Sequence, residues 1–437
     1  CPTPTPSGQA ADRLLLAACV CCLLLAACCL LLAALLAHTD DFYGRLDDLN
    51  LSRLRGADFR ALRDQYTLAP EITYLNHASI GTIPRIVQEA HRQYLDTCES
   101  NPWLYMWGGE WYEPRDDVRD AAAALLNCDA ASIAITHNTT EAFNVLSHGL
   151  PLSAGDEVLF CSLNHDGASK PFEYRASERG FSVRRFEFPA LDVSGMSVSD
   201  VVEIYDGQIS DKTRLLVIPH IDNIVGLRHP IAEIAAAARN RGVEWIAVDG
   251  AQTVGMIDVD LTAMGADVFA TSPHKWLQAP KGLGLAYYGE RVREVLRPMW
   301  VTWGQKWFKD AMLYEDYGTR NMSALLALGD AIAFQTEISP TAREARLIEL
   351  RELASALADS NANTEWRSPR KWDMGGSLYA IEIRGVKSAD FAKAMFADRG
   401  FVFRSFEVGG VQTIRLSPNV FTSEAEIERL FVLISEN

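Results

Sequence analysis

The sequence predicts an α/β protein in which a large domain, with a mostly parallel sheet covered by helices, precedes a smaller α/β domain at the C-terminus. Two observations predict this class. From about residue 130, short apolar strands alternate with helices, a pattern typical of parallel sheets covered on both faces. From about Ala324 the pattern changes to a long helical region and a second, shorter βα alternation, which indicates a smaller unit.

The large domain is expected to contain six strands that can be recognised by their apolar and β-branched residues. They are SIAIT (132–136), EVLFCS (157–162), SVRRFEF (182–188), TRLLVIPH (213–220), VEWIAVD (243–249) and DVFATS (267–272). Helices are predicted between them, in TEAFNVLSHGL (140–150), from Ala168 to Arg179, and from Pro230 to Gly242. Proline is favoured in the first turn of a helix and glycine directly after its end.

The C-terminal part has its own order of elements. A helical region from Ala342 to Asp359 precedes the strand SLYAIEI, the helix SADFAKAMFADRG, the strand VQTIRLS and a final helix from Ser423. We therefore divide the chain into a leader (1–40), a segment that packs beside the small domain (41–100), the large domain (101–323) and the small domain (324–437).

The leader contains an uncharged run of 24 residues, Leu14 to Ala37, composed mostly of Leu, Ala and Cys. This length could span a bilayer as a helix. Arg13 upstream and the acidic pair Asp40 and Asp41 downstream favour an inside N-terminus and an exported body. A membrane anchor, a cleaved export signal and a low-complexity extension all remain open, so the protein is expected to be membrane-associated or exported, and otherwise cytoplasmic.

Composition excludes several classes of function. The formal net charge of −16 disfavours nucleic acid, because binding phosphates requires clustered Lys and Arg. Six of the nine cysteines lie in the first 29 residues, and the other three form neither a disulfide framework nor a zinc spacing. No H-E-x-x-H sequence occurs, so no metal site is predicted.

Polar residues follow one predicted strand after another. Ligands of open α/β sheets bind beyond the carboxyl ends of the strands, and this repeated placement therefore predicts one binding site. The residues concerned are Thr139, Thr140, His165, Asn223, Asp249, Gln252, His274 and Lys275.

Three of these residues suggest the chemistry of the ligand. Asp249 ends an apolar strand with no adjacent Lys or Arg, so its carboxylate either caps the following turn or pairs with a cation of the ligand. Thr139 or Thr140 lies in a first helical turn, where hydroxyls and free amides bind phosphate or simply cap the helix. A desolvated Lys275 could form a Schiff base. Pyridoxal 5′-phosphate would satisfy all three groups.

The sequence then resembles a known family, the class V aminotransferases of fold type I, which include cysteine desulfurases and isopenicillin-N epimerase-like proteins. The resemblance runs in family order from Tyr74 to Leu430. It rests on the segments YLNHASIGTIP, THNTTEAFN, NHDGAS, HIDNIVG, VDGAQTVG, TSPHKWLQAPKGLG, YGTRN and IRLSPNVFTSEAEIERL.

The resemblance implies a role for each matching residue of the cofactor site. Lys275 would form the Schiff base and act as the acid and base, and Asp249 would pair with the pyridine nitrogen. Gln252 would reach the phenolic oxygen, with Asn223 near the same edge, and His165 would stack on the ring rather than serve as a core histidine. The phosphate would be held by four residues of this chain and one of a partner subunit, namely Thr139, Thr140, Ser272, His274 and the partner-contributed Thr319.

The resemblance also implies a homodimer and a substrate site. Arg415 matches an arginine that binds the α-carboxylate of an amino-acid-like substrate, for which a bidentate guanidinium is suited. Asn76 and His77 are expected near the substrate. The Trp-rich segment from Asn101 to Arg115 is either core or dimer packing or a wall of the substrate pocket.

The reaction is left open by these residues, because they serve several outcomes. Transamination is the first expectation, with a C–S lyase or an isopenicillin-N epimerase-like epimerase as alternatives. Cysteine desulfuration is expected to be unlikely, since the last cysteine of the sequence, Cys161, lies inside a predicted strand. A non-catalytic, membrane-tethered scaffold is the remaining alternative, and Lys281 is interpreted as a solvated charge.

Overall fold

A computed structural model describes residue 59 and residues 61–107 and 112–436. The predicted leader, including Leu14 to Ala37, lies outside the described residues. Within the described ranges, no helix is both long enough and apolar enough to cross a membrane. Whether residues 14–37 form a transmembrane or signal segment stays a prediction.

The strands of the described chain form three sheets. In chain order they are β1 (Thr73–Tyr74), β2 (Ile133–Thr136), β3 (Glu157–Cys161), β4 (Ser182–Phe186), β5 (Thr213–Pro219), β6 (Trp245–Asp249), β7 (Val268–Thr271), β8 (Gly284–Tyr288), β9 (Thr364–Trp366), β10 (Tyr379–Ile383), β11 (Phe401–Val402), β12 (Arg404–Val408) and β13 (Val411–Leu416).

The α-helices surround these sheets. In chain order they are α1 (Arg85–Ser100), α2 (Pro102–Trp107), α3 (Tyr112–Leu125), α4 (Thr139–Gly149), α5 (Asp166–Arg179), α6 (Val198–Asp206), α7 (Ile231–Asn240), α8 (Leu261–Met264), α9 (Glu290–Arg293), α10 (Met322–Ile338), α11 (Pro340–Ser360), α12 (Ser388–Arg399) and α13 (Glu424–Ser435).

The large sheet has seven strands in the order β2-β8-β7-β6-β5-β3-β4. From β7 through β6, β5 and β3 to β4 every pairing is parallel. Apolar side chains that are fully or nearly fully buried cover this sheet, and Phe143 of α4 and Phe172 of α5 lie among them. The predicted α/β class with a mostly parallel sheet is thereby confirmed.

β8 is the exception, because it runs antiparallel to both of its neighbours, β2 and β7. The sequence GLGLAYY (282–288), which contains β8, is not among the strands predicted above. No helix occurs in the connection 272–283 between β7 and β8, and a parallel neighbour would need such a crossover. The chain therefore turns back, and this connection contains Lys275.

The C-terminal sheet is fully antiparallel and has the order β12-β13-β10-β9. Its apolar core includes Tyr379, Ile414 and Leu430. The helical region predicted from Ala342 to Asp359 is α11, and α10 precedes it directly. The break between these two helices lies at Ser339, whose hydroxyl accepts a hydrogen bond from the Ala342 amide.

The segment before residue 100 contacts more than one part of the protein. β1 pairs in parallel with β11, whereas α1 packs against α10. The described residues belong to one compact unit. The boundaries at residues 100 and 323 thus stay predictions.

Candidate functional site

A cavity of about 470 Å³ lies where the carboxyl ends of the large-sheet strands face the antiparallel sheet. It is lined by residues that follow β3, β5, β6 and β7 and by residues of β12 and β13. Five of the predicted site residues contribute to its wall, namely His165, Asn223, Gln252, Lys275 and Arg415.

Lys275 is partly buried and its side chain faces this cavity. Its amide donates a hydrogen bond to the Ser272 carbonyl at 3.1 Å, which closes a turn directly after β7. Burial lowers the pKa of the Lys275 amine to about 8; the Asp249 carboxylate opposes this shift and Arg415 adds to it. A larger share of the amine is therefore neutral at neutral pH than for an exposed lysine. Lys281 is more exposed than Lys275, although burial lowers the pKa of its amine as well.

The backbone around Lys275 is held by a glycine that the sequence analysis did not single out. The Gly81 amide donates to the His274 carbonyl at 2.8 Å. A Cβ at position 81 would lie 2.0 Å from the Lys275 carbonyl oxygen, so only glycine allows this approach. The motif YLNHASIGTIP, which includes Gly81, could have indicated such a contact.

Asp249 ends β6 and is buried. One of its carboxylate oxygens, Oδ1, accepts a hydrogen bond from the Ala251 amide at 3.0 Å, which is the turn cap considered as an alternative. No lysine or arginine within the described part of the chain forms an ion pair with Asp249. Because a buried carboxylate needs compensation, a cationic ligand atom remains a suitable partner for this group.

Gln252 connects three parts of the site. Its Nε2 donates to the Ala78 carbonyl at 2.8 Å, and its Oε1 accepts from the Trp276 indole N–H at 2.8 Å. The side-chain amide is thereby fixed in one orientation, with one N–H left for a ligand. Gln252 therefore positions the Lys275 loop as well as lining the cavity.

The residues predicted to hold a phosphate lie at the start of α4. The Ser272 hydroxyl lies 2.8 Å from the Thr139 hydroxyl and accepts from the Thr139 amide at 3.2 Å. Thr140 lies beside Gly167, where a Cβ would be 2.5 Å from the Thr140 hydroxyl oxygen. The Thr139, Thr140 and Ser272 hydroxyls thus cluster at a helix N-terminus, which is an anion-binding arrangement.

His274 and Thr319 have different surroundings. Burial lowers the pKa of His274 to about 4, assisted by Lys275 and Lys281, and its Nδ1 has no hydrogen-bond partner in the described protein. His274 is therefore a neutral group with one polar atom available. Thr319 is exposed and is not among the residues that line this chain's cavity; its predicted role concerns a partner subunit.

His165 is the N-cap residue of α5, and its Nδ1 accepts a hydrogen bond from the Gly167 amide at 3.0 Å. In the neutral ring the proton is then on Nε2. The ring is exposed at the cavity wall, so it is not a core histidine. This placement leaves its face accessible to a planar ligand.

Arg415 is a buried cation in β13. It donates to the Asn223 carbonyl at 2.8 Å, to Asn76 Oδ1 at 2.9 Å and to the Ser79 hydroxyl at 2.7 Å. Burial, followed by repulsion from Arg404, lowers its pKa to about 9. All three acceptors are neutral, so the guanidinium is oriented without being neutralised.

Asn76 and His77, which were predicted near the substrate, have separate roles. Asn76 supports Arg415, as described above. The His77 ring is fully buried against Tyr74 and Phe421, and burial lowers its pKa to about 3. Ala78 and Ser79 line the cavity in this segment, whereas His77 does not.

Asp222 is a further functional residue that the sequence analysis missed. Its carboxylate accepts hydrogen bonds from the amides of Ile224, Val225 and Leu227. These bonds form the turn that directs the Asn223 carbonyl toward Arg415. An aspartate four residues before a glycine in HIDNIVG was the available signal, since Asp favours such turns.

The described part of the Trp-rich segment does not line the cavity. Trp103 is 76% exposed and Tyr112 is 57% exposed, so neither belongs to the core of this chain. Residues 108–111 lie outside the described residues.

The donor set fits pyridoxal 5′-phosphate in three respects. The structure offers a partly neutral amine in a cavity, a buried carboxylate without an ion-pair partner among the described residues, and a hydroxyl cluster at a helix N-terminus. Within the described chain, by contrast, no cluster of His, Cys, Asp and Glu could hold a metal ion.

Comparison with known proteins identifies the family. The family model for class V aminotransferases matches residues 73–430, which is most of the sequence. The chain belongs to the class V aminotransferase family.

Curated relatives of this family member include two kinds of enzyme. Isopenicillin N epimerase of Streptomyces clavuligerus is 28% identical over 393 residues, which cover 86% of this chain and 97% of the relative. A probable cysteine desulfurase of Methanothermobacter thermautotrophicus is 27% identical over 399 residues, which cover 86% of this chain and 97% of the relative.

Solved structures support the assignment to fold type I. A mutant of the protein C-DES with glycine covalently linked to its PLP cofactor aligns with a TM-score of 0.78 at 21% identity, over 86% of this chain and 99% of that chain. A cysteine desulfurase from Thermococcus onnurineus aligns with a TM-score of 0.76 at 21% identity, over 86% of this chain and 96% of that chain. The cofactor predicted for this family member is the one named in the C-DES structure.

These relatives correct one expectation. Desulfuration was set aside because of the position of Cys161, yet cysteine desulfurases are prominent among the similar proteins. The absence of a cysteine after Cys161 is thus too weak a criterion to dismiss that reaction. Transamination in particular is not established by the family.

Proposed function

We propose that this class V aminotransferase family member is a pyridoxal-phosphate-dependent enzyme that acts at the α-carbon of an amino acid, with transfer of the amino group as its reaction. The proposal rests above all on Lys275. Its amine is partly buried, faces a cavity lined by polar side chains and has a lowered pKa. Bound pyridoxal phosphate would supply an electron sink at the substrate α-carbon.

The side chains of this chain have distinct tasks in the proposal. Thr139, Thr140 and Ser272 would hold the phosphate, and Asp249 would keep the ring nitrogen protonated. Arg415 would bind the substrate carboxylate through a guanidinium that Asn76 and Asn223 already orient. Lys275 Nζ would accept a proton from the substrate and return it.

Transfer of an amino group is favoured by the composition of the cavity wall. Lys275 is the single lysine that lines the cavity in the described chain. One base that removes and returns a proton from the same side is sufficient for transamination. Inversion of the α-carbon by two bases would need a second acid–base group beside the substrate, and His165 and Asp166 are the other such groups of the wall.

Epimerisation is the second candidate, since the Streptomyces relative is named isopenicillin N epimerase and is covered over 97% of its length. C–S bond cleavage is supported by the names of other relatives. Cys161 itself is poorly suited to accept sulfur, because it is fully buried beside Tyr205 and burial raises its pKa to about 11. An exposed thiolate is what a sulfur acceptor needs.

The first experiment compares Lys275→Ala with the matched control Lys281→Ala after loading both with pyridoxal phosphate. We expect Lys275→Ala to lose covalent retention of the cofactor after borohydride reduction and to lose turnover by at least about a thousandfold, while Lys281→Ala keeps both. A panel of amino acids is scored separately for keto acid, ammonia, sulfide and racemisation. Turnover by Lys275→Ala at the wild-type rate would contradict the proposal, and racemisation without keto acid would replace transfer by epimerisation.

Association and location are further proposals that carry over from the sequence. The family resemblance suggests a homodimer that brings Thr319 to the partner's site, and residues 14–37 suggest a membrane-associated or exported protein.

A further inference from the structure

The cavity contains a second arginine that the proposed function does not use. Arg404 lies in β12, the edge strand of the antiparallel sheet, and faces the same cavity as Lys275 and Arg415. Its side chain is exposed. Within the described chain it has neither an ion-pair partner nor a side-chain hydrogen bond, and its one ring contact is with Phe406.

Arg404 stands directly opposite Arg415 in the register of β12 and β13. Like charges at directly opposed positions of an antiparallel pair are destabilising, and this repulsion contributes to the lowered pKa of Arg415. Asp222 is the acid that acts on Arg415, but its carboxylate is occupied by backbone amides. No carboxylate of the described chain forms an ion pair with either guanidinium, so the pair is compensated only at a distance, by the action of Asp222 on Arg415.

The third arginine of the cavity wall, Arg185, is in a different situation. It forms ion pairs with Asp166 at 3.6 Å and with Glu173 at 3.5 Å, and it contacts the Ser169 hydroxyl. Its charge is thus offset within the chain. The excess positive charge of the cavity is concentrated at Arg404 and Arg415, in a protein whose net charge is −16.

The guanidinium groups of both arginines lie near the ring of Phe406. The guanidinium carbon of Arg415 is 5.2 Å from the centroid of the Phe406 ring, and that of Arg404 is 5.7 Å from it. Because both guanidinium groups lie near the same ring, a short molecule with two anionic ends could bridge Arg404 and Arg415. Its apolar stem would then contact Phe406.

We propose that this cavity selects α-amino acids that carry a second carboxylate on a short side chain, and that Arg404 binds this second carboxylate while Arg415 binds the first. The inference rests on the proposed function, since it assigns the substrate class of the same site. Arg404 is a specificity residue in this scheme, because it contacts the substrate away from the reacting carbon.

The test uses the cofactor-loaded protein and follows the visible absorption of the bound cofactor during titration with L-aspartate, L-glutamate, L-asparagine and L-glutamine. This readout reports binding whichever reaction follows. In the wild type, each acid should bind more tightly than its amide. In Arg404→Gln, the dissociation constants of the acids should rise about tenfold to a hundredfold, as expected for loss of a charge-assisted hydrogen bond, while those of the amides stay nearly unchanged.

Two further variants make the result specific. Arg404→Lys should recover part of the preference for acids, because it keeps the charge but not the bidentate geometry. Arg384→Gln removes the same charge from an exposed arginine that pairs with Glu365, and it should leave the preference unchanged.

Three outcomes would overturn the inference. Equal binding of acids and amides by the wild type would do so while leaving the proposed function intact. Weaker retention of pyridoxal phosphate by Arg404→Gln, with an unchanged preference for acids, would assign Arg404 to the cofactor instead. Absence of any spectral response to amino acids in the wild type would remove the proposed function together with this inference.

Discussion

At the residue scale, the chemistry of the site depends on the surroundings of one amine. Burial and Arg415 both favour the neutral form of Lys275, and Asp249 alone favours the charged form. Since the balance lowers the pKa to about 8, about a tenth of the amine is neutral at pH 7. An exposed lysine would have a far smaller neutral fraction.

This environment predicts the pH dependence of cofactor capture by the cofactor-free protein. The rate should rise with pH and level off above pH about 8, whereas an ordinary lysine would level off near its usual pKa of 10.5. The protonated amine destabilises the folded protein because it is desolvated. Between pH 8 and pH 10.5 the amine is mostly neutral in the folded protein and still charged in the unfolded chain, so the free energy of unfolding should increase with pH over this range. Stopped-flow absorbance after mixing with pyridoxal phosphate measures the capture rate.

A matched variant separates the causes of this shift. Arg415→Gln removes a repulsive charge, so the midpoint of the capture profile should move to higher pH, while Lys281→Ala should leave the midpoint in place. A wild-type profile that keeps rising to pH 10 would show that the Lys275 amine is not desolvated.

At the scale of elements, the segment 76–81 connects the two sheets. Asn76 bridges to Ser417 after β13, the Ala78 carbonyl accepts from Gln252, and the Gly81 amide donates to the Lys275 loop. The Lys275 loop, Gln252 and Arg415 are therefore positioned relative to one another by a short segment without regular secondary structure.

Gly81→Ala tests this connection. The added Cβ would lie 2.0 Å from a backbone oxygen that has little freedom to move, so we expect a loss of about 1–3 kcal/mol in the free energy of unfolding and weaker cofactor retention. Gly195→Ala is the control, because a Cβ there meets no atom within 4 Å. Thermal unfolding and dialysis of the loaded protein measure the two effects. An unchanged melting temperature in Gly81→Ala would refute the close packing of this segment.

At the scale of the whole molecule, the surface carries several large aromatic side chains. Trp103, Trp303 and Trp307 are each more than half exposed, at 76%, 63% and 73%. Exposed aromatic groups of this size are enriched in protein–protein interfaces. Such a surface agrees with a homodimer, in which Thr319 would reach a neighbouring site.

Sedimentation equilibrium tests the dimer prediction. The mass should be twice the 48.4 kDa of one chain. Thr319→Ala should weaken retention of pyridoxal phosphate without changing that mass, while Thr262→Ala, at the exposed start of α8, should change neither. A monomer that retains its cofactor and its activity would contradict the prediction.

Much of the large domain could be predicted from local pattern. Apolar strands such as β5 and β6 are buried on both faces, so their sequences indicate parallel strands without any knowledge of their neighbours. β8 and β12 were missed for a physical reason. Their direction and burial depend on partners that are distant in the sequence, and β12 has the polar, half-exposed composition of an edge strand.

The sequence by itself determined the family, the alternation of strands and helices in the large domain and the polar residue types at the strand ends, because those features depend on residue type and spacing. Only the tertiary structure separated Asn76, which orients Arg415, from His77, which is buried in an apolar contact. It also placed Gly81 against Lys275 and Arg404 opposite Arg415. Such pairings depend on long-range packing and strand register, and neither is encoded in any short stretch of the chain.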